Sequence, residues 1–302
     1  MTNKDTNQNL NMISLRERLN VKNFVVTTEI NPPKGPDTTT VLEKASMLKN
    51  YVDTINVTDS AGANMAMAPI TIAHYLTTLN INPILQITGR DRNRIAIQGE
   101  LLAAHALGIS NVLCMSGDSP ADGDHPEAKG VFDLDATGIL QSLEALRSGF
   151  DLSKSKLNAP ADFLVGAVVN PGAKDIEKEI TRMQQKIDLG AQFFQTQGIF
   201  DTNQFESFME KITNFKTPIL DGLILLKSAK MAQYLNDNLF GVNVPDTIIQ
   251  TMDASDNRIQ TSIDISSSII ESMKPMCSGV HIMAIGWESH IPKILQNTNL
   301  TQ

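Results

Sequence analysis

The chain has 302 residues, 41% hydrophobic and 19% charged, with 33 acidic side chains against 25 basic ones and a formal net charge of −8. This is a globular composition with enough apolar residues for a large core, and the length suits either two domains or one α/β barrel of about 250 residues. The negative balance excludes a dominant nucleic-acid surface, which needs clustered Lys and Arg; the one dense basic run, Arg90 to Arg94, holds Asp91 inside it.

Residues 1–13 are polar and Asn-rich and lack the apolar segment of a secretory signal, so they are expected to form a flexible tail ahead of a catalytic domain over 14–302. Short apolar runs then begin near Phe24, Thr54, Pro83, Asn111, Phe163, Gln192, Pro218 and Gly279. The early ones are spaced by roughly 28 residues, the size of a βα unit. Asp162 to Val169 is apolar without alternation, as a parallel strand buried on both faces is. Ile95 to Leu107 and Ile176 to Leu189 repeat apolar residues at helical spacing. Gly108, Gly190 and Gly279 come after helical stretches and are expected to act as left-handed caps before the next strand.

Eight such units predict an α/β fold, a single-domain (β/α)₈ TIM barrel. A doubly wound sheet is the alternative, but no Gly-x-Gly-x-x-Gly follows any strand. Two connections are long: an acidic loop from Gly117 to Asp135, and an insertion from Leu239 to Asn257. No apolar stretch reaches the roughly 18 residues of a membrane span. Cys114 and Cys277 sit near apolar runs and read as buried reduced thiols, which implies a cytoplasmic setting.

Barrel enzymes keep their chemistry at the C-terminal ends of the strands. Polar residues stand there on six strands: Glu29; Thr58 and Asp59; Gln86 and Thr88; Asp118; Asn170; and Gln195 to Gln197. Singly, each is also what a solvated loop or helix cap supplies. Glu29 is the strongest, because it interrupts a buried strand just before Asn31-Pro32-Pro33, which fixes the chain's exit. The five histidines lack metal-binding spacing, so no metal is expected; His281, inside the last strand, reads as a barrel-interior hydrogen-bonding group. No Gly-x-Ser-x-Gly or Cys–His pair supports a nucleophile. Carboxylates and amides without metal or nucleophile fit binding of a polar heterocycle, with proton transfer beside a redox cofactor.

Several motifs resemble those of the methylenetetrahydrofolate reductase family: Thr28-Glu-Ile-Asn-Pro-Pro33, Val57-Thr58, Gln86-Ile-Thr-Gly-Arg-Asp-Arg-Asn93, Ser116-Gly-Asp-Ser-Pro120, His125 to Asp133, Lys186-Ile-Asp-Leu-Gly-Ala191, and Thr196-Gln197 with Phe200-Asp201. They run in order over roughly residues 14 to 297, and are most similar to the short bacterial form without a regulatory domain. The resemblance implies a flavin-dependent barrel that reduces 5,10-methylenetetrahydrofolate to 5-methyltetrahydrofolate in one-carbon metabolism, reversibly in some settings. It implies FAD, with FMN the alternative, and either NAD(P)H or a redox partner protein as electron donor, in a homo-oligomer or hetero-complex. It makes Glu29 the general acid and Asp118 the acid facing flavin and folate, with Gln197 and Thr28 on the substrate. Thr58, Gln86, Ser116, Gly117, Asp118, Asn170 and Lys186 fall where the family holds flavin. Gln86 stands where some members have His, and Ser116 where some have Arg. The aromatic residue that stacks on nicotinamide after strand seven has no counterpart, since that exit offers Lys227 and Ala229; Phe200 is a candidate substitute. The rival functions are a folate-binding methyltransferase-type barrel and a non-catalytic folate-binding or redox-partner subunit.

Overall fold

The apolar runs become eight parallel strands: β1 (Val25–Ile30), β2 (Thr54–Val57), β3 (Pro83–Thr88), β4 (Asn111–Met115), β5 (Leu164–Val169), β6 (Phe193–Gly198), β7 (Ile219–Ile224) and β8 (Gly279–Met283). Each pairs with the next, and β8 pairs with β1, so the sheet closes into one barrel. The molecule is seen in a computed structural model describing residues 14–21 and 24–300; the expected tail, residues 1–13, lies outside them. Helices alternate with the strands: α1 (Leu15–Asn20), α2 (Thr39–Leu48), α3 (Pro69–Thr78), α4 (Arg94–Ala106), α5 (Ala136–Arg147), α6 (Ile176–Asp188), α7 (Thr202–Lys211), α8 (Ala229–Asn238), α9 (Asp246–Asp253), α10 (Arg258–Met273) and α11 (Ile291–Asn297). The long insertion after β7 therefore contains a helix, α9, whose Met252 is buried. None of the described helices is long and apolar enough to cross a membrane.

The joints obey local chemistry. Asn93, Asp135, Asp175, Asp201 and Ser228 cap α4 to α8, each accepting a backbone N–H of the first turn. Gly108 and Gly190 end α4 and α6 at φ +81° and +97°, as expected of left-handed caps. Gly279 is different. It lies inside β8, where a Cβ would fall 2.2 Å from the Val25 carbonyl oxygen, so close approach rather than a cap requires glycine.

The barrel interior is filled in layers. Ser14 and Glu17 close a capping box on α1, and this short helix turns Leu15 and Leu19 into the barrel. There they meet Val25, Ile84, Leu113, Leu164, Phe193 and Leu220, an apolar floor from six strands. Arg18 of α1 pairs with Asp53 at 2.8 Å, and Asp53 also accepts the Val26 N–H. A larger apolar layer lies between the strands and the outer helices.

That outer layer encloses one anomaly. Leu220 points into the barrel, so its neighbour Asp221 points toward the helices, fully buried, with neither carboxylate oxygen hydrogen-bonded to any described residue. Burial pushes its pKa well above the usual carboxylate value. Both cysteines are free thiols. The Cys277 thiol is pushed up to about 12, by burial first and then by the Asp221 carboxyl.

Asp221 is an acid whose folded pKa is raised, so the stability of the folded chain is fullest below the unfolded carboxylate pKa of about 3.9 and falls as pH rises toward the folded value. Asp221→Asn removes the charge that must be suppressed on folding. The variant is expected to melt higher than the parent by roughly 2 °C or more near neutral pH. The gain should shrink as pH approaches about 4, a trend that thermal melts across pH measure directly.

Candidate active site

Above the apolar floor the strands change character. Thr27 and Glu29 of β1, Asn56 of β2, Gln195 of β6 and His281 of β8 build a polar layer. Asn56 donates to Gln195 at 2.8 Å, and the Gln195 amide donates back to Asn56 at 3.3 Å and to the Thr27 hydroxyl at 3.4 Å. The same hydroxyl lies 2.9 Å from His281 Nδ1. On the other edge of that ring, Nε2 stands 3.6 Å from Glu29 Oε2. Glu29 is thus the uppermost member of a chain that reaches down through His281 to Thr27, with its carboxylate partly open to the mouth.

Alternation along β1 also moves one expected residue away. Thr28 sits between two inward side chains and so points outward. It is fully buried, and its hydroxyl donates to the Ile282 carbonyl at 2.7 Å. Its side chain does not reach the mouth, which corrects its assignment as a substrate contact.

The exits of β2, β3 and β4 are tied by charge. Asp59 is buried and accepts from the Thr88 N–H and hydroxyl at 2.9 and 2.8 Å, and from both Arg92 amino groups at 2.7 and 3.0 Å. Arg92 also pairs with Glu100 of α4 at 2.5 Å. Burial disfavours the Arg92 charge, but the Asp59 bonds and the charges of Asp59, Glu100 and Asp91 outweigh it, so its pKa is raised. Arg90 is buried beside them and donates to the carbonyls of Asp59 and Ser60. Thr58 donates to Asn31 at 2.7 Å, joining the β2 exit to that of β1. Gly117 has φ +92°, and a Cβ there would lie 2.9 Å from Arg90 Cβ, so only glycine lets β4 turn over this cluster.

Asp118, exposed on that turn, accepts the Gly62 N–H at 3.2 Å. Farther along, Asp124 binds three neighbours: Lys34 after β1, the Met65 N–H after β2 at 2.9 Å, and its own neighbour His125 at 2.8 Å. The hydrogen bonds from Lys34, Met65 and His125 hold the Asp124 carboxyl well below the usual range. The acidic loop is therefore folded back and anchored over the β1 and β2 exits.

Among the other expected residues, Gln86 is almost buried and its amide makes no hydrogen bond to any described residue. Ser116 is exposed and accepts weakly, at 3.4 Å, from the Ala136 N–H at the start of α5. Lys186 reaches back from α6 to the Val168 carbonyl at 2.7 Å; burial lowers its pKa, against the raising influence of Glu179, Asp135 and Cys114. The β6–β7 register shifts between Gln195 and Gly198, a bulge that displays Gln197, whose Oε1 accepts the Gly198 N–H. Asn170 is occupied differently. Its amide donates to the Phe240 carbonyl and accepts from the Gly172 N–H, both at 3.0 Å, so it anchors the inserted loop to the β5 exit. Phe200 is buried in the outer core and presents no ring to the mouth, which corrects its candidacy as a stacking platform.

Sequence reasoning missed Arg90 and Arg92 as buried clamps, although their alternation with Asp91 and Asn93 was a visible signal. It missed Asn56 and Thr27, whose role depends on pairing across strands. It also passed over Trp287, which the fold brings next to Lys227 at the β7 and β8 exits.

A family model described as methylenetetrahydrofolate reductase matches residues 14–299. "Methylenetetrahydrofolate reductase 2" of Schizosaccharomyces pombe is 23% identical over 323 aligned positions, covering 96% of this chain and 48% of that protein. "5,10-methylenetetrahydrofolate reductase" of Pectobacterium carotovorum is 24% identical over 173, covering 57% and 52%. The chain thus spans about half the length of these curated relatives. Among solved structures, an uncharacterized protein from Clostridium thermocellum that binds two copies of 5-methyl-5,6,7,8-tetrahydrofolic acid superposes with a TM-score of 0.61 at 16% identity, covering 95% of this chain and 98% of that one. At that identity the superposition shows a shared fold.

The Asp59–Arg92 clamp generates a stability prediction. Arg92→Leu leaves the buried Asp59 carboxylate hydrogen-bonded by Thr88 only, with Arg90 the remaining nearby cation, and should cost about 3 kcal/mol in denaturant unfolding. Adding Asp59→Asn to that variant should recover part of the loss, because the uncompensated charge is then gone.

Proposed function

The chain belongs to the methylenetetrahydrofolate reductase family, and on that premise we propose that it reduces the methylene group of 5,10-methylenetetrahydrofolate to a methyl group with a bound flavin as cofactor. The observation that carries this reading is the pair at the barrel top, Glu29 and His281 at 3.6 Å, with His281 fixed from below by Thr27.

The physical argument begins at Thr27. Its hydroxyl has one proton, and the Val280 carbonyl, 3.3 Å away, can only accept. His281 lies against that hydroxyl through Nδ1 and turns Nε2 toward Glu29, whose carboxyl group faces the mouth. In this reading Glu29 donates the proton. Delivered to the bridging nitrogen of the folate, that proton opens the five-membered ring and leaves a methylene iminium cation. Asp118, exposed on the turn after β4, is the carboxylate assigned to stabilise this positive charge. Gln197, with a free amide nitrogen, offers a donor to the pterin edge.

A flavin suits the remaining donors. The Gln86 amide, with no hydrogen-bond partner among the described residues, lies on β3, and glycine at 117 lets the β4 turn pass close over Arg90 and Thr88. Ser116 and Lys186 flank the N-terminus of α5, a hydroxyl and a cation suited to phosphate. Thr58 shapes the β2 side, and Asn170 holds the rim loop. A flavin held there, as FAD or as FMN, would supply the hydride that completes the methyl group. The electrons that recharge it come from NAD(P)H or from a redox partner.

Two half-reactions test this. Glu29→Gln should bind flavin and accept electrons normally, while its reoxidation by methylenetetrahydrofolate slows by about 10²-fold or more. Unchanged reoxidation in stopped flow would remove Glu29 from the chemistry. Purified protein should be yellow and bleach on reduction; a colourless chain that still binds methyltetrahydrofolate would point to the methyltransferase-type barrel.

Asp118→Asn deletes a negative charge beside the proposed flavin. Its flavin potential should rise, by roughly tens of millivolts for a charge at this exposure, and folate turnover should fall. A redox titration alongside the turnover assay measures both.

A further inference from the structure

The layer beneath Glu29 holds polar groups that the proposed reduction leaves unused. Asn56 of β2 and Gln195 of β6 stand opposite each other on the ring of eight strands, and both are buried. Asn56 donates to the Gln195 oxygen at 2.8 Å, and Gln195 donates back at 3.3 Å. The Gln195 nitrogen also reaches the Thr27 hydroxyl, at 3.4 Å. Val25 and Phe193 of the apolar floor lie one inward position below Thr27 and Gln195 on the same strands. Amides in such a place give up water that apolar side chains would not miss, and what they gain in exchange is direction.

Thr27 passes that direction on. Its hydroxyl meets three neighbours: the Gln195 N–H, the Val280 carbonyl at 3.3 Å and His281 Nδ1 at 2.9 Å. It has one proton and two lone pairs to serve them. The Gln195 N–H takes a lone pair, and the carbonyl can only accept. Where the hydroxyl proton goes therefore settles whether Nδ1 accepts from Thr27 or donates to it. The bond made by one ring nitrogen fixes the tautomer and the tilt of an imidazole. The other nitrogen, Nε2, is the one 3.6 Å from Glu29. Among the described residues, Thr27 is the only side chain hydrogen-bonded to the His281 ring.

We propose that Asn56, Gln195 and Thr27 are positioning residues, a buried relay that sets the orientation and tautomer of His281 beside Glu29. Buried beneath the mouth, they act on the reaction through the imidazole, and through it on how Glu29 presents its proton. The role assigned to them rests on the folate reduction proposed for Glu29.

Gln195→Met keeps the length of the side chain and removes the amide. In chemically reduced holoprotein its reoxidation by methylenetetrahydrofolate should slow about 10-fold and its pH profile should shift, with folate affinity and flavin content unchanged. Thr27→Val should do the same, and Thr27→Ser should restore the parent behaviour. Gln195→Met added to Thr27→Val should cost nothing more, since the two act in series. Asn56→Leu combined with Gln195→Met leaves no amide unpaired, so it serves even where Gln195→Met alone fails to fold. Its melting temperature should return toward the parent while reoxidation stays slow. Reoxidation that recovers in this double variant, an unmoved pH profile, or additive losses with Thr27→Val would overturn the relay and leave the amides a packing element. The ring-nitrogen shifts of 15N-histidine in the oxidised holoprotein report the tautomer without turnover, with His281 identified through His281→Gln. They should change in Gln195→Met and Thr27→Val and return in Thr27→Ser; unchanged shifts would also overturn the relay. Failure of the functional reading has its own signature: chemically reduced wild-type protein that methylenetetrahydrofolate cannot reoxidise. The nitrogen shifts judge the relay in that case too.

Discussion

Side chains on a strand of a closed barrel have two destinations, the interior and the helix layer, and they alternate between them. That constraint arranges everything else in this molecule. On β1 it sends Val25 to the apolar floor, Thr27 to the polar layer and Glu29 to the mouth, while Thr28 goes outward to the Ile282 carbonyl. On β7 it points Leu220 inward and so commits Asp221 to an apolar layer that offers no partner. The same rule therefore brings one carboxyl group to the mouth on one strand and buries another among apolar side chains.

The barrel was legible in the chain because parallel strands buried on both faces leave continuous apolar runs at βα spacing, and these need no partner to be recognised. The acids that end β1 and β4 were legible for a related reason: a charge interrupting such a run has few places to go. Alternation along β1 turns Thr28 and Glu29 opposite ways, which a sequence motif does not encode. Partnership was not legible. That Asp59 would be a buried anchor for Arg92, or that Asn170 would hold the Phe240 carbonyl, depends on which loops meet above the barrel. Gly279 looked like a cap because its place after a helix is visible in the sequence, whereas the backbone pressing on it from β1 is not.

Rigidity at the mouth comes from charge more than from apolar contact. Asp59 and Asp124 each collect donors from several segments: the first joins the β2 and β3 exits, the second the loops after β1, β2 and β4. The two carboxylates differ in setting. Asp59 is sealed from water and depends on Arg92 for neutralisation, whereas Asp124 is partly exposed and holds its loop through direct hydrogen bonds. Loops held at their bases keep the barrel mouth fixed in shape, which is the condition for preorganised binding.

The contact between Thr27 and His281 spans 254 positions of the chain. It joins the first strand to the last, so it forms only when the ring of strands closes. Until β8 is made and docked, Glu29 has no imidazole beside it and the floor sealed by Leu15 and Leu19 has an open side. A truncated or half-assembled barrel thus lacks the Glu29–His281 contact altogether, whatever else it has folded. That contact is in this sense an assembly checkpoint, written into the seam where the first strand meets the last.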